Sequence, residues 1–218
     1  MTSKKLHKII TILREYYSNF HKPSVTQVSQ KFSDPFFVLM SCILSLRTKD
    51  KTTNEASARL FSKAKSLSQL AKLKTRQIEK LIYPVGFYRT KAKRIKSMSK
   101  DMLKRFNGKV PNNMEDLLSL KGVGRKTANL VLTLGYNKQG ICVDTHVHRI
   151  SNRLGMVKTK TPFDTEMELR KKLPSRFWIE YNDLLVAFGQ NICKPISPLC
   201  SFCLISPYCP KIQVKSHR

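Results

Sequence analysis

The sequence predicts a nearly all-α protein, and three observations carry that reading. Apolar residues recur at three- and four-residue spacing along almost the whole chain. The stretches that interrupt this pattern are short and rich in turn residues, and the one strand-like run, Ile141-Cys142-Val143, is too short to build a sheet. Taken in order, Leu6, Ile9, Ile10, Leu13 and Tyr17 give an N-terminal helix one apolar face. Ser33-Asp34-Pro35 then offers an N-cap followed by a proline near the first helical position, where a missing N–H costs nothing, ahead of Phe36, Phe37, Leu39, Met40, Ile43 and Leu44. Segments around 52–64, 66–73, 75–83, 90–106, 114–120 and 125–136 repeat the helical period. Turns such as Tyr83-Pro84-Val85-Gly86 and Asn107-Gly108-Lys109-Val110-Pro111 separate them, giving a middle block of about six helices. There is no internal repeat and no low-complexity segment.

A length of 218 residues with 41% hydrophobic content supports a buried core and argues against a disordered chain. The 41 Lys and Arg against 14 Asp and Glu leave a formal charge of +27, far more than solubility requires and costly through self-repulsion. Nucleic acid is the polyanion that fits best, because each neutralised phosphate releases a counterion. A lysine-rich surface with no ligand is the alternative. The basic start, Met1 to His7, is followed by no apolar run of signal-peptide or membrane-span length, so an intracellular protein with no membrane partner is expected.

Leu120-Lys121-Gly122-Val123-Gly124-Arg125-Lys126-Thr127-Ala128-Asn129 joins two amphipathic segments through a turn with two glycines one residue apart. Such a turn presents backbone N–H groups at the positive end of a helix dipole, which suits a phosphate, although glycines also serve tight turns that bind nothing. The following helix is roughly 18 Å long. The next acidic residue after Asp116 is Asp144, and residues 137–143 reach up to about 23 Å, enough to return Asp144 beside Lys126. Spacing alone favours reading Asp144 as the N-cap of a helix opening at Thr145, and Lys126 reads also as a solvated surface lysine.

Cys193, Cys200, Cys203 and Cys209 read C-x6-C-x2-C-x5-C, with Pro195, Pro198, Pro207 and Pro210 forcing the backbone out of helix. Four thiols in one short, stiff loop signal metal, and the spacing leaves structural zinc and an iron–sulfur cluster both open. Cys42 and Cys142 lie among apolar neighbours and read as small core residues. His146 and His148 diverge on a helix and no further ligand cluster accompanies them, and Trp178 reads as core.

The run at 120–129, together with Val143-Asp144-Thr145-His146, resembles the endonuclease III family of helix-hairpin-helix DNA glycosylases. Ser33-Asp34-Pro35-Phe36, Leu44-Ser45-Leu46-Arg47-Thr48-Lys49-Asp50, Val85-Gly86-Phe87-Tyr88 and the cysteine loop extend the resemblance over nearly the whole chain in family order. It implies two helical domains: a central six-helix barrel-like domain at 28–138 carrying the hairpin, and a second formed by 1–27 and 139–218 carrying the cysteine loop. It further implies Lys126 as the catalytic amine, Asp144 as the essential carboxylate, a [4Fe-4S] cluster on the four cysteines, and hairpin contacts to DNA from Lys121, Gly122, Val123, Gly124 and Arg125.

Arg47 and Phe87 fall where the family fills the gap left by a flipped base. Many relatives carry Gln and Leu at those two places, and Pro where this chain has Lys121. The expected activity is removal of oxidised pyrimidines followed by cleavage of the abasic strand. The expected protein is a monomer acting on damaged or abasic duplex DNA in the cytoplasm or nucleoid, or, in a eukaryote, in the nucleus or mitochondrion. A mismatch or photodimer glycosylase of the same superfamily is the alternative enzyme, and a non-catalytic DNA-binding module the alternative of another class.

Overall fold

The computed structural model describes residues 2–20 and 22–218. Among these, twelve α-helices and no strand are found: α1 (Ser3–Ser18), α2 (Ser24–Phe32), α3 (Pro35–Ser45), α4 (Asp50–Lys63), α5 (Leu67–Lys72), α6 (Thr75–Ile82), α7 (Tyr88–Arg105), α8 (Met114–Ser119), α9 (Arg125–Leu130), α10 (Thr145–Arg153), α11 (Pro162–Lys172) and α12 (Trp178–Asn191). The all-α expectation therefore holds, and Ile141–Val143 is irregular chain. No helix among the described residues is long and apolar enough to cross a membrane.

The chain forms two compact units, one of residues Ser24–Gly140 and one of Met1–Pro23 with Ile141–Arg218. The first is organised around α3, whose residues Phe36 to Leu44 are all buried, so this helix is apolar on every side and must be wrapped. Its start is fixed as its sequence requires: Asp34 accepts the Phe36 N–H at 2.7 Å, with Pro35 at the first helical position. Helices α2, α4, α7 and α9 pack around it. The segment expected as one helix over 125–136 is α-helical only to Leu130, and Val131–Gly135 continues as a π-helix. Tertiary packing gives the reason. The widened turn carries Gly135 against Pro35, so close that a Cβ would lie 2.9 Å from the Pro35 ring.

The second unit packs α1, α10, α11 and α12 on one another. Its core holds Leu6, Ile9, Ile10 and Leu13 of α1, Val147 and Ile150 of α10, and Tyr181, Leu184, Leu185 and Phe188 of α12. Trp178 packs against this core and donates its indole N–H to the Leu173 carbonyl at 2.7 Å. Cys42 and Cys142 are each buried, as expected of small core residues.

Candidate active site

Lys126 stands second in α9, one turn beyond the double-glycine hairpin. The Leu120 carbonyl accepts the Val123 N–H at 3.0 Å and closes the turn, and Val123 is buried beneath it. Gly122 has φ +91°, a conformation that favours glycine, and it lies against the Arg94 side chain, to which a Cβ would come within 2.5 Å. Gly124 is different: a Cβ would meet nothing within 4 Å. Its bareness leaves the hairpin open on the outside, as close approach of a ligand to the backbone requires. No side chain caps α9, since its N-cap is Gly124; Lys121 and Lys126 are exposed there and Arg125 is half-buried. The Lys126 ammonium lies near enough to the buried Cys42 to lower that thiol's pKa, although burial dominates and pushes it up to about 12.

Asp144 is the N-cap of α10. Its Oδ1 accepts both the His146 N–H, at 2.8 Å, and the Val147 N–H, at 3.0 Å. The capping role foreseen from spacing is therefore real, and both cap bonds use one oxygen; Oδ2 takes no part in them. The two histidines that follow are engaged as ordinary helix residues: the His148 Nδ1 is 2.7 Å from the Thr165 hydroxyl, and the His146 Nδ1 is 3.2 Å from an Arg149 nitrogen.

Arg47 and Phe87, far apart in sequence, come together. The Arg47 guanidinium lies 5.7 Å from the centre of the Phe87 ring, which is 63% exposed. Both residues are in the left-handed region, with φ of +52° and +57°. A non-glycine residue there costs about 1 kcal/mol or more, and two such residues side by side on one exposed edge mark a built feature.

Cys193, Cys200, Cys203 and Cys209 line one cavity with Phe188, Leu199 and Ile205. Burial among these side chains raises the pKa of Cys200 and Cys209 and pushes Cys203 up to about 11. Donors to sulfur are already in place: an Arg153 Nη–H points at the Cys193 Sγ at 3.3 Å, and the Lys211 N–H at the Cys209 Sγ at 3.4 Å. Among the described residues no three His, Cys, Asp or Glu side chains gather as tightly as a single metal ion requires. Arg153 went unremarked in the sequence, where one arginine among 41 basic residues carries no signal.

Residues 40–175 match the model of the HhH-GPD superfamily of base excision DNA repair proteins. Endonuclease III of Thermotoga maritima is 49% identical over 181 residues, covering 83% of this chain and 85% of that protein. Endonuclease III of a Synechocystis strain is 36% identical over 216 residues, covering 98% of this chain and 96% of that protein. Among solved structures, a trapped endonuclease III–DNA covalent intermediate superposes with a TM-score of 0.83 at 28% identity, covering 97% of both chains. A thermostable thymine-DNA glycosylase, 23% identical with a TM-score of 0.82, shares the fold.

Proposed function

This chain belongs to the endonuclease III family of helix-hairpin-helix base-excision repair proteins, and on that premise we propose that it removes oxidised pyrimidines from duplex DNA and nicks the abasic strand through an imine on Lys126. One observation carries the reading. An exposed lysine opens the helix after a bare double-glycine hairpin, in a chain that superposes end to end on an endonuclease III trapped in covalent linkage to DNA.

The hairpin amides of Gly122, Val123 and Gly124, with Lys121 and Arg125 beside them, hold a phosphate of the damaged strand. Arg47 and Phe87 fill the space vacated by the extruded base. The Lys126 amine, in its neutral form, attacks C1′ and the glycosidic bond breaks, its electron pair leaving with the base. The resulting C1′–N bond becomes a protonated imine as the sugar ring opens. That imine acidifies the C2′ hydrogen, a base removes it, and the 3′ phosphate departs by β-elimination. Asp144 stabilises the cationic sugar in the transition state and assists the proton transfers. Water then releases the lysine.

Cys193, Cys200, Cys203 and Cys209 would hold a [4Fe-4S] cluster. Four cysteines lining one cavity match the four-thiolate ligand set of such a cluster, which would brace this loop without entering the chemical step.

Borohydride reduction tests the reading. Enzyme, reductant and an abasic duplex should give a stable cross-linked species, and Lys126→Gln should abolish cross-link and nicking while duplex binding persists. A Lys126→Gln protein that still cross-links overturns the assignment and turns attention to Lys121.

A further inference from the structure

The turn that presents Arg47 and the turn that presents Phe87 meet at one hydroxyl. Thr48 Oγ1 donates to the Leu46 carbonyl at 3.2 Å and accepts from the Gly86 N–H at 3.2 Å and from the Lys91 ammonium at 3.1 Å. That is the full capacity of a threonine hydroxyl, one donor and two acceptors. Gly86 sits flat against the Arg47 carbonyl, where a Cβ would come within 2.5 Å.

Lys91, one turn into α7, is only 4% exposed. Its Nζ reaches the Leu44 carbonyl at 2.8 Å and also the Leu46 carbonyl, in addition to Thr48, so its three N–H donors are matched by three acceptors. Two of these acceptors lie at the C-terminal end of α3, where carbonyls lack intrahelical partners and a cation is favoured. Burial, with Arg94 nearby, brings the Lys91 pKa down to about 8.

We propose that Lys91 is a positioning residue for base extrusion: through Thr48 it locks the 46–48 turn to the 85–87 turn, so that Arg47 and Phe87 enter the duplex as one rigid wedge. Two adjacent residues in left-handed conformations hold that backbone only if something over-determines it. The ammonium and the hydroxyl are that constraint. The proposal rests on the reading of Arg47 and Phe87 as gap fillers.

Lys91→Met keeps the length and apolar stem while removing all three donors. Thr48→Val is the milder companion should the first variant fold poorly, since it removes only the junction. Each is compared with wild type on two substrates: thymine glycol paired in a duplex, which must be opened, and an abasic site in a looped-out strand, which needs no extrusion. For Lys91→Met, kcat/KM on the paired lesion should fall at least tenfold while nicking of the looped-out site, measured per folded molecule, stays within twofold. Thr48→Val should show the same divergence at lower amplitude. 2-Aminopurine opposite the lesion should show a matching loss of opening. In an Arg47→Ala, Phe87→Ala background, Lys91→Met should cost less than twofold more, because the element it positions is already gone. Equal loss on both substrates reduces Lys91 to a stability residue and overturns the proposal. If the Arg47→Ala, Phe87→Ala protein itself opens and excises normally, it is the wedge reading that fails, a result distinct from failure at Lys91 alone.

Discussion

Asp144→Asn and Asp144→Ala together separate the cap that Asp144 supplies from the catalytic role proposed for it. The cap is explicit: a single oxygen accepts the His146 and Val147 N–H groups at 2.8 and 3.0 Å. An asparagine amide oxygen can take the same place, and Asn equals Asp as an N-cap, so the stability lost is mainly the charge at the start of α10, about 0.3–1 kcal/mol. Alanine removes cap and charge together, and its cost rises to about 1–2 kcal/mol. For a chain of this size each kcal/mol lowers Tm by about 2–4 °C. Turnover follows another scale. Losing one preorganised charge beside a cationic sugar reduces the rate about a hundredfold or more, which is about 2.7 kcal/mol of transition-state stabilisation. Thermal melts by circular dichroism and single-turnover nicking of a thymine glycol duplex should therefore give an Asn variant that melts near wild type and is almost inactive. An Asn variant within threefold of wild-type rate would leave Asp144 a cap and nothing more.

Lys121→Ala and Arg125→Ala should each flatten the dependence of duplex affinity on salt by about one phosphate, a slope change of about 0.9; unchanged slopes in both remove them from the contact. Lys96→Met is the matched control: Nζ of Lys96 bonds the Ala71 and Leu73 carbonyls at the end of α5, so its loss should lower Tm with no change in salt slope. Protein prepared anaerobically should be yellow-brown and carry about four irons and four acid-labile sulfides, and Cys203→Ser should reduce iron and solubility before it reduces the rate per intact molecule. Stoichiometric zinc in cluster-competent protein would refute that assignment. Cys42, its pKa pushed up to about 12 by burial, should be about one part in ten thousand thiolate at pH 8 and escape iodoacetamide until the protein unfolds; rapid labelling of the native protein would contradict the burial.

Helices whose apolar faces carry large side chains were legible in the sequence. Those of α1 and α3 follow from the spacing of leucine, isoleucine and phenylalanine, and the Asp34-Pro35 start follows from capping chemistry. Helix α2 was not, because part of the face it buries is made of Ser24 and Thr26, which no hydrophobic period marks. The π-turn at Val131 was equally silent, since its cause is the approach of Gly135 to Pro35, a contact made across about a hundred residues. At the site, the Gly-x-Gly turn and the C-x6-C-x2-C-x5-C loop spoke through spacing. The meeting of Arg47 with Phe87, and the single oxygen by which Asp144 caps its helix, depend on three-dimensional placement that one-dimensional patterns do not contain.

The +27 charge, read from the sequence as the mark of a polyanionic partner, divides into two populations in the structure. One is exposed, and it includes Lys121 and Lys126 beside the hairpin. The other is turned inward onto the carbonyl ends of helices and loops: Arg59 onto Leu81 and Tyr83 after α6, Lys96 onto Ala71 and Leu73 after α5, Lys91 onto Leu44 and Leu46 after α3, Arg149 onto Gly189 and Cys193 after α12, and Arg153 onto Lys194 and Pro195 in the cysteine loop. Short helices leave many unsatisfied carbonyls for their length, because each end exposes four whatever the helix length. Long basic side chains from a neighbouring helix answer that need and complement the negative end of the dipole as well. Part of the basic composition is thus a consequence of building with short helices, and it would be required had the protein never met DNA. Charge count alone therefore overstates the electrostatic footprint on DNA, and salt dependence, which counts only phosphates neutralised, is the measure that separates the two populations.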